Sequence, residues 1–179
     1  MTATSVKRQH YGLTLAVLAI AGLSFALLQT MVAPALPAIQ HEYGASTPAV
    51  TWVLTIYLLT ASICTPIFGR LGDMFGKERL LVIVLLVLGA GTLISALSTS
   101  LAMLIAGRAV QGAGGAIFPL AFGIIRDEFP REKVATGIGT ISAMFGIGGG
   151  VGLVVAGVLV DGIGVAWIFW LSAAAAAIA

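Results

Sequence analysis

The stretch "GRLGDMFGKERLL", Gly69 to Leu81, gathers Arg70, Asp73, Lys77, Glu78 and Arg79 within ten residues. The chain around it is 59% hydrophobic and only 9% charged. A soluble domain carries roughly a quarter charged residues, and a chain this apolar has too few polar side chains to cover a wettable surface. Outward from the stretch lie apolar runs at roughly 12–36, 48–68, 80–98, 101–124 and 134–160. Each is near the ~20 residues that a helix needs to cross a ~30 Å hydrocarbon core. The charged stretch is therefore a short connection between two membrane spans, which must form an antiparallel helix hairpin. A sixth run, 165–179, is fifteen residues long and would rise only ~22 Å as a helix, so the chain is expected to stop inside a span.

The placement of the cations orients the bundle. Lys7 and Arg8 precede the first run; Arg70, Lys77 and Arg79 lie between the second and third; Arg126, Arg131 and Lys133 lie between the fourth and fifth. The connections near His41, Ser98 and Asp161 have none. Basic connections stay on the cytoplasmic side, so a tail over residues 1–11 and the charged stretch are expected in the cytoplasm, with 12–179 forming the transmembrane part. The first run is too long for the apolar core of a cleaved signal and is followed by further spans. Cys64 is the only cysteine, so no internal disulfide forms.

One cation breaks the pattern. Arg108 lies about eight residues into the fourth run, or ~12 Å along a helix. A charge at that depth costs ~3 kcal/mol or more and marks a cavity or a partner. A snorkelling reach of ~6 Å does not cover the distance. Arg108, Gln111, Gly112, Gly115 and Pro119 follow helical steps of three and four and share one face. That face reads as the wall of a polar cavity or as a close helix contact. In the fifth run, Gly148, Gly152 and Ala156 repeat every four residues, a small-residue stripe for tight helix packing. Gln29, Tyr57 and Trp52 are further candidates. A buried Gln29 amide needs hydrogen bonds, Tyr57 lines a cavity or packs between helices, and Trp52, like Trp167 and Trp170, suits an interfacial belt.

Other chemistries fail on their own patterns. "GDMFGKE" lacks a phosphate loop, because Leu71 stands at the first glycine position and Glu78 replaces Ser/Thr. His10 and His41 are too far apart for a helical zinc motif. No cofactor, metal, nucleic-acid partner or enzymatic activity is expected.

Several of these stretches are similar to motifs of the major facilitator superfamily. Gly69, Leu71, Asp73, Gly76 and Lys77 fit its signature between helices 2 and 3, G-x-L-x-D-R-x-G-R-[RK], with Met74 and Glu78 departing from it. Arg108, Gln111, Gly112, Gly114 and Ala116 fit its helix-4 pattern, R-x-x-Q-G-x-G-x-A. Gly148, Gly152 and Gly157 fit the antiporter pattern on helix 5, with Leu153 at the proline and Ala156 at a glycine position. "APALPAI" (Ala33–Ile39), "WVLTIYLLTAS" (Trp52–Ser62) and "EFPREKVATGIG" (Glu128–Gly139) resemble segments of multidrug/proton antiporters, and the resemblance is closest to the fourteen-helix efflux branch. It implies an all-α fold, the first six-helix half of such a carrier, built as two inverted three-helix repeats and completed by a second half of the same chain. Helices 1 and 4 are then equivalent, which places Gln29 and Arg108 near one central cavity. It also implies a cytoplasmic latch around Gly69, Asp73, Gly76, Lys77 and Arg79, with Arg126 as partner of Asp73, and packing roles for Gly112, Gly115, Gly148, Gly152 and Gly157. The implied activity is proton-coupled export of drugs or amphipathic toxins across a bacterial inner membrane. A specific metabolite carrier and a half-length protein inactive alone are the alternatives. Many relatives carry an aspartate where this chain has Leu28, and no acid lies at the centre of any run.

Overall fold

A computed structural model of the chain describes residues 11–162 and 164–178. The tail residues Lys7, Arg8 and His10 and the side chain of Asp161 lie outside the described residues. The elements are α1 (Tyr11–Glu42), α2 (Thr47–Phe75), α3 (Lys77–Ala96), α4 (Leu101–Gln111), a 3-10 segment (Gly112–Ala116), α5 (Ile117–Glu128), α6 (Arg131–Gly162) and α7 (Ala166–Ile178). No strand occurs among the described residues. α4, the 3-10 segment and α5 form one span, Leu101–Glu128, and five spans are long and apolar enough to cross a bilayer. Helical spans satisfy most backbone groups internally, as hydrocarbon demands, and Pro34, Pro37, Pro66 and Pro119 each omit one such bond.

Most helices run further than the apolar runs, although α3 ends at Ala96, two residues short of its run. α2 continues to Phe75 and α3 restarts at Lys77, so most of the charged stretch is helical. Hydropathy marks where lipid ends, but helix hydrogen bonding continues into the interface until a residue stops it. That residue is Gly76, whose φ of 100° is open to glycine and strained for other residues. Its N–H closes α2 by donating to the Gly72 carbonyl at 3.0 Å. At the opposite end Ser100 caps α4, its Oγ accepting from the Met103 N–H at 3.2 Å, and saves a helix-terminal donor from being left bare.

The fourth span is not the uniform helix that its sequence suggests. Pro119 has no N–H for the Gly115 carbonyl, and its ring crowds that carbonyl. The turn ahead of it, "GAGGA", tightens into 3-10 geometry.

Packing follows an exchange of the first three spans with the last three. α1 lies along α6, and the fourth span lies along α2, while α3 sits against both α4 and α7. Swapping spans 1 with 4, 2 with 5 and 3 with 6 exchanges the α1–α6 contact with that of the fourth span on α2, exchanges α3–α4 with α1–α7, and maps α3–α7 onto itself, as two inverted three-helix repeats require. In both long contacts one helix supplies glycine. A Cβ on Gly112 would stand 2.6 Å from Thr60 Cβ and 2.8 Å from the Tyr57 carbonyl oxygen; one on Gly115 would stand 2.8 Å from Thr65 Oγ1. A Cβ on Gly148 would stand 2.8 Å from Ala26 Cβ, and one on Gly152 would collide with Thr30 Oγ1. Gly157 does not belong to this set: nothing lies within 4 Å of a Cβ there. The residue four steps beyond Gly152 is Ala156, fully buried, and Gly157 is rotated ~100° away from it. Gly69 is likewise open, and the close approach is made by Gly72, where a Cβ would be 2.5 Å from Leu120 Cδ2.

Gly148→Ala should therefore destabilise the bundle by about 1–3 kcal/mol through overpacking against Ala26 and Leu23. Gly89→Ala, in open space, should be neutral or stabilising by up to ~1 kcal/mol. Thermal unfolding in detergent of the two variants beside the parent checks the contrast.

Candidate functional site

The site grows from a seam where three helices touch backbone to backbone. A Cβ on Gly91 of α3 would stand 2.7 Å from the Gln111 nitrogen and 2.9 Å from the Gly107 carbonyl oxygen of α4. Gly112 brings the same span equally close to α2. Arg108, one turn before Gly112, thus lies inside the helix contact and is fully buried, as is Gln111. Of the two environments that its sequence allowed, the close helix contact is the one found.

Arg108 is held from three sides. Its Nε–H donates to the Val53 carbonyl oxygen of α2 at 3.2 Å. Its Nη1 donates to Gln111 Oε1 at 2.7 Å. Its guanidinium carbon lies 4.1 Å from the centre of the Tyr57 ring, a contact worth ~2 kcal/mol when desolvated. Gln111 Nε2 in turn donates to Thr92 Oγ1 of α3 at 3.1 Å, and Thr92 Oγ1 donates to the Leu88 carbonyl at 2.7 Å. Two donors are left over: Arg108 Nη2 and the Tyr57 hydroxyl are buried without a hydrogen-bond partner. Among the described residues no carboxylate forms an ion pair with Arg108.

Gln29 is not joined to this network. It is half-buried on α1 and makes no side-chain hydrogen bond among the described residues, while the neighbouring Leu28 is buried in the core. α1 reaches the site through Phe25, one turn earlier, whose ring lies 6.4 Å from that of Tyr57. From Phe25 a chain of rings runs to Phe118 at 5.6 Å and on to Phe145 of α6 at 4.9 Å. Phe25 and Phe118 carry no motif, and only tertiary packing brings them together. Trp52, Trp167 and Trp170 are exposed on the outer surface of the bundle.

A second cluster sits at the basic end. Lys77 Nζ bridges Asp73 Oδ1 and Asp127 Oδ2, each at 2.8 Å. The cation that meets Asp73 is thus Lys77; Arg126 is exposed and forms no ion pair among the described residues. Arg79 is exposed as well. Asp127, which carries no motif, enters because Gly123 lets the Lys77 stem lie across α5: a Cβ there would be 2.5 Å from Lys77 Cδ. The three charges sit against helix polarity. Asp73 and Asp127 lie in the last turns of α2 and α5, and Lys77 opens α3. Each is disfavoured by its own helix dipole, so each depends on the others. Gly69, Asp73, Lys77, Gly123, Arg126 and Asp127 border one polar cleft there.

A bundle of membrane-length helices packed by inverted symmetry around a buried cation is the architecture of a polytopic membrane protein. The profile of the Major Facilitator Superfamily matches residues 18–179, and the chain belongs to that family, whose members are carriers and not enzymes. It is similar to an MFS-type transporter of Aspergillus terreus, 37% identical over 82% of this chain and 27% of that protein. It is 38% identical to the efflux pump dotC of Dothistroma septosporum, over 82% and 25% of the two chains. It is 31% identical to multidrug resistance protein 3 of Bacillus subtilis, over 96% and 34%. The chain thus spans about a quarter to a third of the length of these relatives. The fold matches the crystal structure of the human organic anion transporter MFSD10 (TETRAN), with TM-score 0.73 and 20% identity over 95% of this chain and 46% of that one.

Tyr57 offers a test of the geometry. Tyr57→Phe keeps the ring under Arg108 and removes an unpartnered hydroxyl, so unfolding should occur at an unchanged or higher temperature, by up to ~1 kcal/mol of stability. Tyr57→Leu discards the ring contact and should lose ~2 kcal/mol or more. Melting curves of the purified protein in detergent decide.

Proposed function

We propose that this chain forms one half of a secondary active transporter that exports amphipathic drugs or toxic metabolites in exchange for protons. It works by alternating access across the cytoplasmic membrane of a bacterium, with its N-terminus inside. The observation that carries the reading is Arg108: a permanent cation, fully buried and with one nitrogen unpartnered, maintained where hydrocarbon makes it unfavourable. Such a group is retained where solute, proton or water visits it. Export of amphipathic compounds is supported by the ring cluster around Phe25, Phe118 and Phe145, since aromatic faces take up flat apolar molecules. The names of two relatives, an efflux pump and a multidrug resistance protein, point the same way.

The remaining roles follow from placement. Arg108, Gln111, Gln29 and Tyr57 border the substrate and proton path. The proton-carrying carboxylate is supplied by a second half of the carrier, since Leu28 fills the position in α1. Gly139, Gly146, Gly150 and Gly157 meet nothing within 4 Å and are spaced to share one face of α6, which supports that face as the seat of a second half. Asp73, Lys77 and Asp127, with Gly69, Gly76, Arg79 and Arg126 around them, form the cytoplasmic latch. The Lys77–Asp127 contact holds both basic connections at one end, in keeping with a cytoplasmic placement of the two. A specific metabolite carrier is the second reading, favoured by the same lone cation: a substrate carboxylate would complete it.

The test is ethidium export into inverted membrane vesicles, with the chain expressed from its whole reading frame and driven by an imposed pH gradient. Arg108→Ala should lower the gradient-driven rate at least tenfold, and Arg108→Lys, which keeps the charge but not the fork, should fall between. Full export by Arg108→Ala would overturn the reading. Export of benzoate in place of ethidium would favour the second.

A further inference from the structure

We propose that Thr92, on α3, is the positioning residue that fixes how Arg108 presents its free nitrogen. The proposal rests on the reading of Arg108 as part of the transport path. Among the described residues Thr92 shares no hydrogen bond with Arg108 or Tyr57; it acts through Gln111.

The argument is one of hydrogen-bond direction. A threonine hydroxyl has a single proton to give. Thr92 donates it to the Leu88 carbonyl at 2.7 Å, so towards Gln111 it can only accept. The Gln111 amide must then turn its NH2 to Thr92, at 3.1 Å, and its carbonyl to the other side. Arg108 stands on that other side, and a guanidinium has donors and no acceptor; its Nη1 meets the Gln111 carbonyl at 2.7 Å. The chain Arg108, Gln111, Thr92, Leu88 therefore has one sense throughout, set by a backbone carbonyl at its far end. Reversing the amide would aim NH2 at a cation. With Nη1 taken by Gln111 and Nε by the Val53 carbonyl at 3.2 Å, the nitrogen that remains for a visiting group is Nη2.

The packing is built to bring this hydroxyl within reach. Thr92, Gln111 and Arg108 are each fully buried, and Thr92 Oγ1 is the acceptor that Gln111 Nε2 meets. The approach of α3 to α4 depends on Gly91, next to Thr92, and on Gly107, next to Arg108, where Cβ atoms would meet backbone at 2.7 Å and 2.9 Å. Valine at 92 keeps the branched shape and removes only the hydroxyl. Gln111 then loses its anchor, its amide is free to turn, and the Arg108 fork is no longer held in one orientation.

The test uses the whole reading frame in proteoliposomes and 15N-arginine labelling in detergent. Arg108→Lys identifies the Arg108 Nε–H signal by its loss. Thr92→Val should speed exchange of that proton at least tenfold, and lower kcat for gradient-driven ethidium export about tenfold with KM held within twofold, as loss of one buried hydrogen bond implies. Thr92→Ser, which keeps the hydroxyl, should restore both. In a Gln111→Leu background Thr92→Val should add nothing further. Parental exchange and kcat in Thr92→Val, a Thr92→Ser variant no better than Thr92→Val, or an undiminished effect in the Gln111→Leu background would each overturn the proposal. If Thr92→Val does not reach the membrane, Thr92→Ala carries the same comparison. Unchanged export by Arg108→Lys and Arg108→Ala would remove the reading of Arg108 as a transport residue, and the exchange data would then decide the role of Thr92 alone.

Discussion

A guanidinium cannot shed its proton, so a bundle that encloses one must bring hydrogen-bond acceptors to it. Arg108 takes its acceptors from two helices, the Val53 carbonyl of α2 and the amide oxygen of Gln111 on its own span, and Gln111 is anchored on α3. Those bonds form only if three helix backbones approach within a few ångströms of one another, which explains the glycines at 91, 107 and 112. Glycine weakens a helix intrinsically, by ~1 kcal/mol. The loss is offset here by contacts that no larger residue would permit, in a solvent where helices associate by close packing and not by expulsion of water.

The same exchange of side chain for proximity recurs on the other side of the bundle. Gly148 and Gly152 of α6 admit α1 as Gly112 and Gly115 of the fourth span admit α2. Under the inverted symmetry these two contacts are images of each other with the roles reversed: glycine is carried once by span 4 and once by span 5. The contacts differ in what they enclose. Against α2 the glycines meet Thr60, Ala61 and Thr65 close to the Arg108–Tyr57 contact, whereas against α1 they meet Leu23, Ala26, Leu27 and Thr30. The two contacts differ in charge: Arg108 lies in the one where α3 supplies an anchor through Thr92 and Gln111.

How far the sequence could be read follows from which forces are local. The spans were legible because hydropathy acts residue by residue, and Arg108 was legible because a charge so deep in an apolar run is unfavourable wherever it points. The ends of α2 and α3 were not, because a helix stops where its hydrogen bonds are interrupted, at Gly76, and not where lipid stops. The 3-10 turn before Pro119 was hidden by the assumption of uniform helix. Gly157 fits a motif by order in the sequence, but its azimuth on α6 turns it away from α1, and Ala156 takes the place. Thr92, Phe25 and Asp127 had no signal at all: each acquires its role from a partner far away in sequence, and no periodicity reports that.

The basic end shows how a weak interaction can matter to a moving molecule. Ion pairs as exposed as those of Lys77 are worth ~1 kcal/mol or less apiece, too little to hold a fold. Their setting, not their strength, is unusual. Asp73 and Asp127 sit at carbonyl-rich helix ends, and Lys77 sits at an N–H-rich one, so every charge is repelled by its own helix and attracted only by its neighbours. Separation of α3 from α5 would break the Lys77–Asp127 pair and leave Asp127 at its carbonyl-rich helix end without that cation, while Asp73, four residues before Lys77, keeps it. The cross-helix pair therefore adds only a small bias towards holding α3 against α5. It also remains weak enough to open within the few kcal/mol that separate conformers of a working protein.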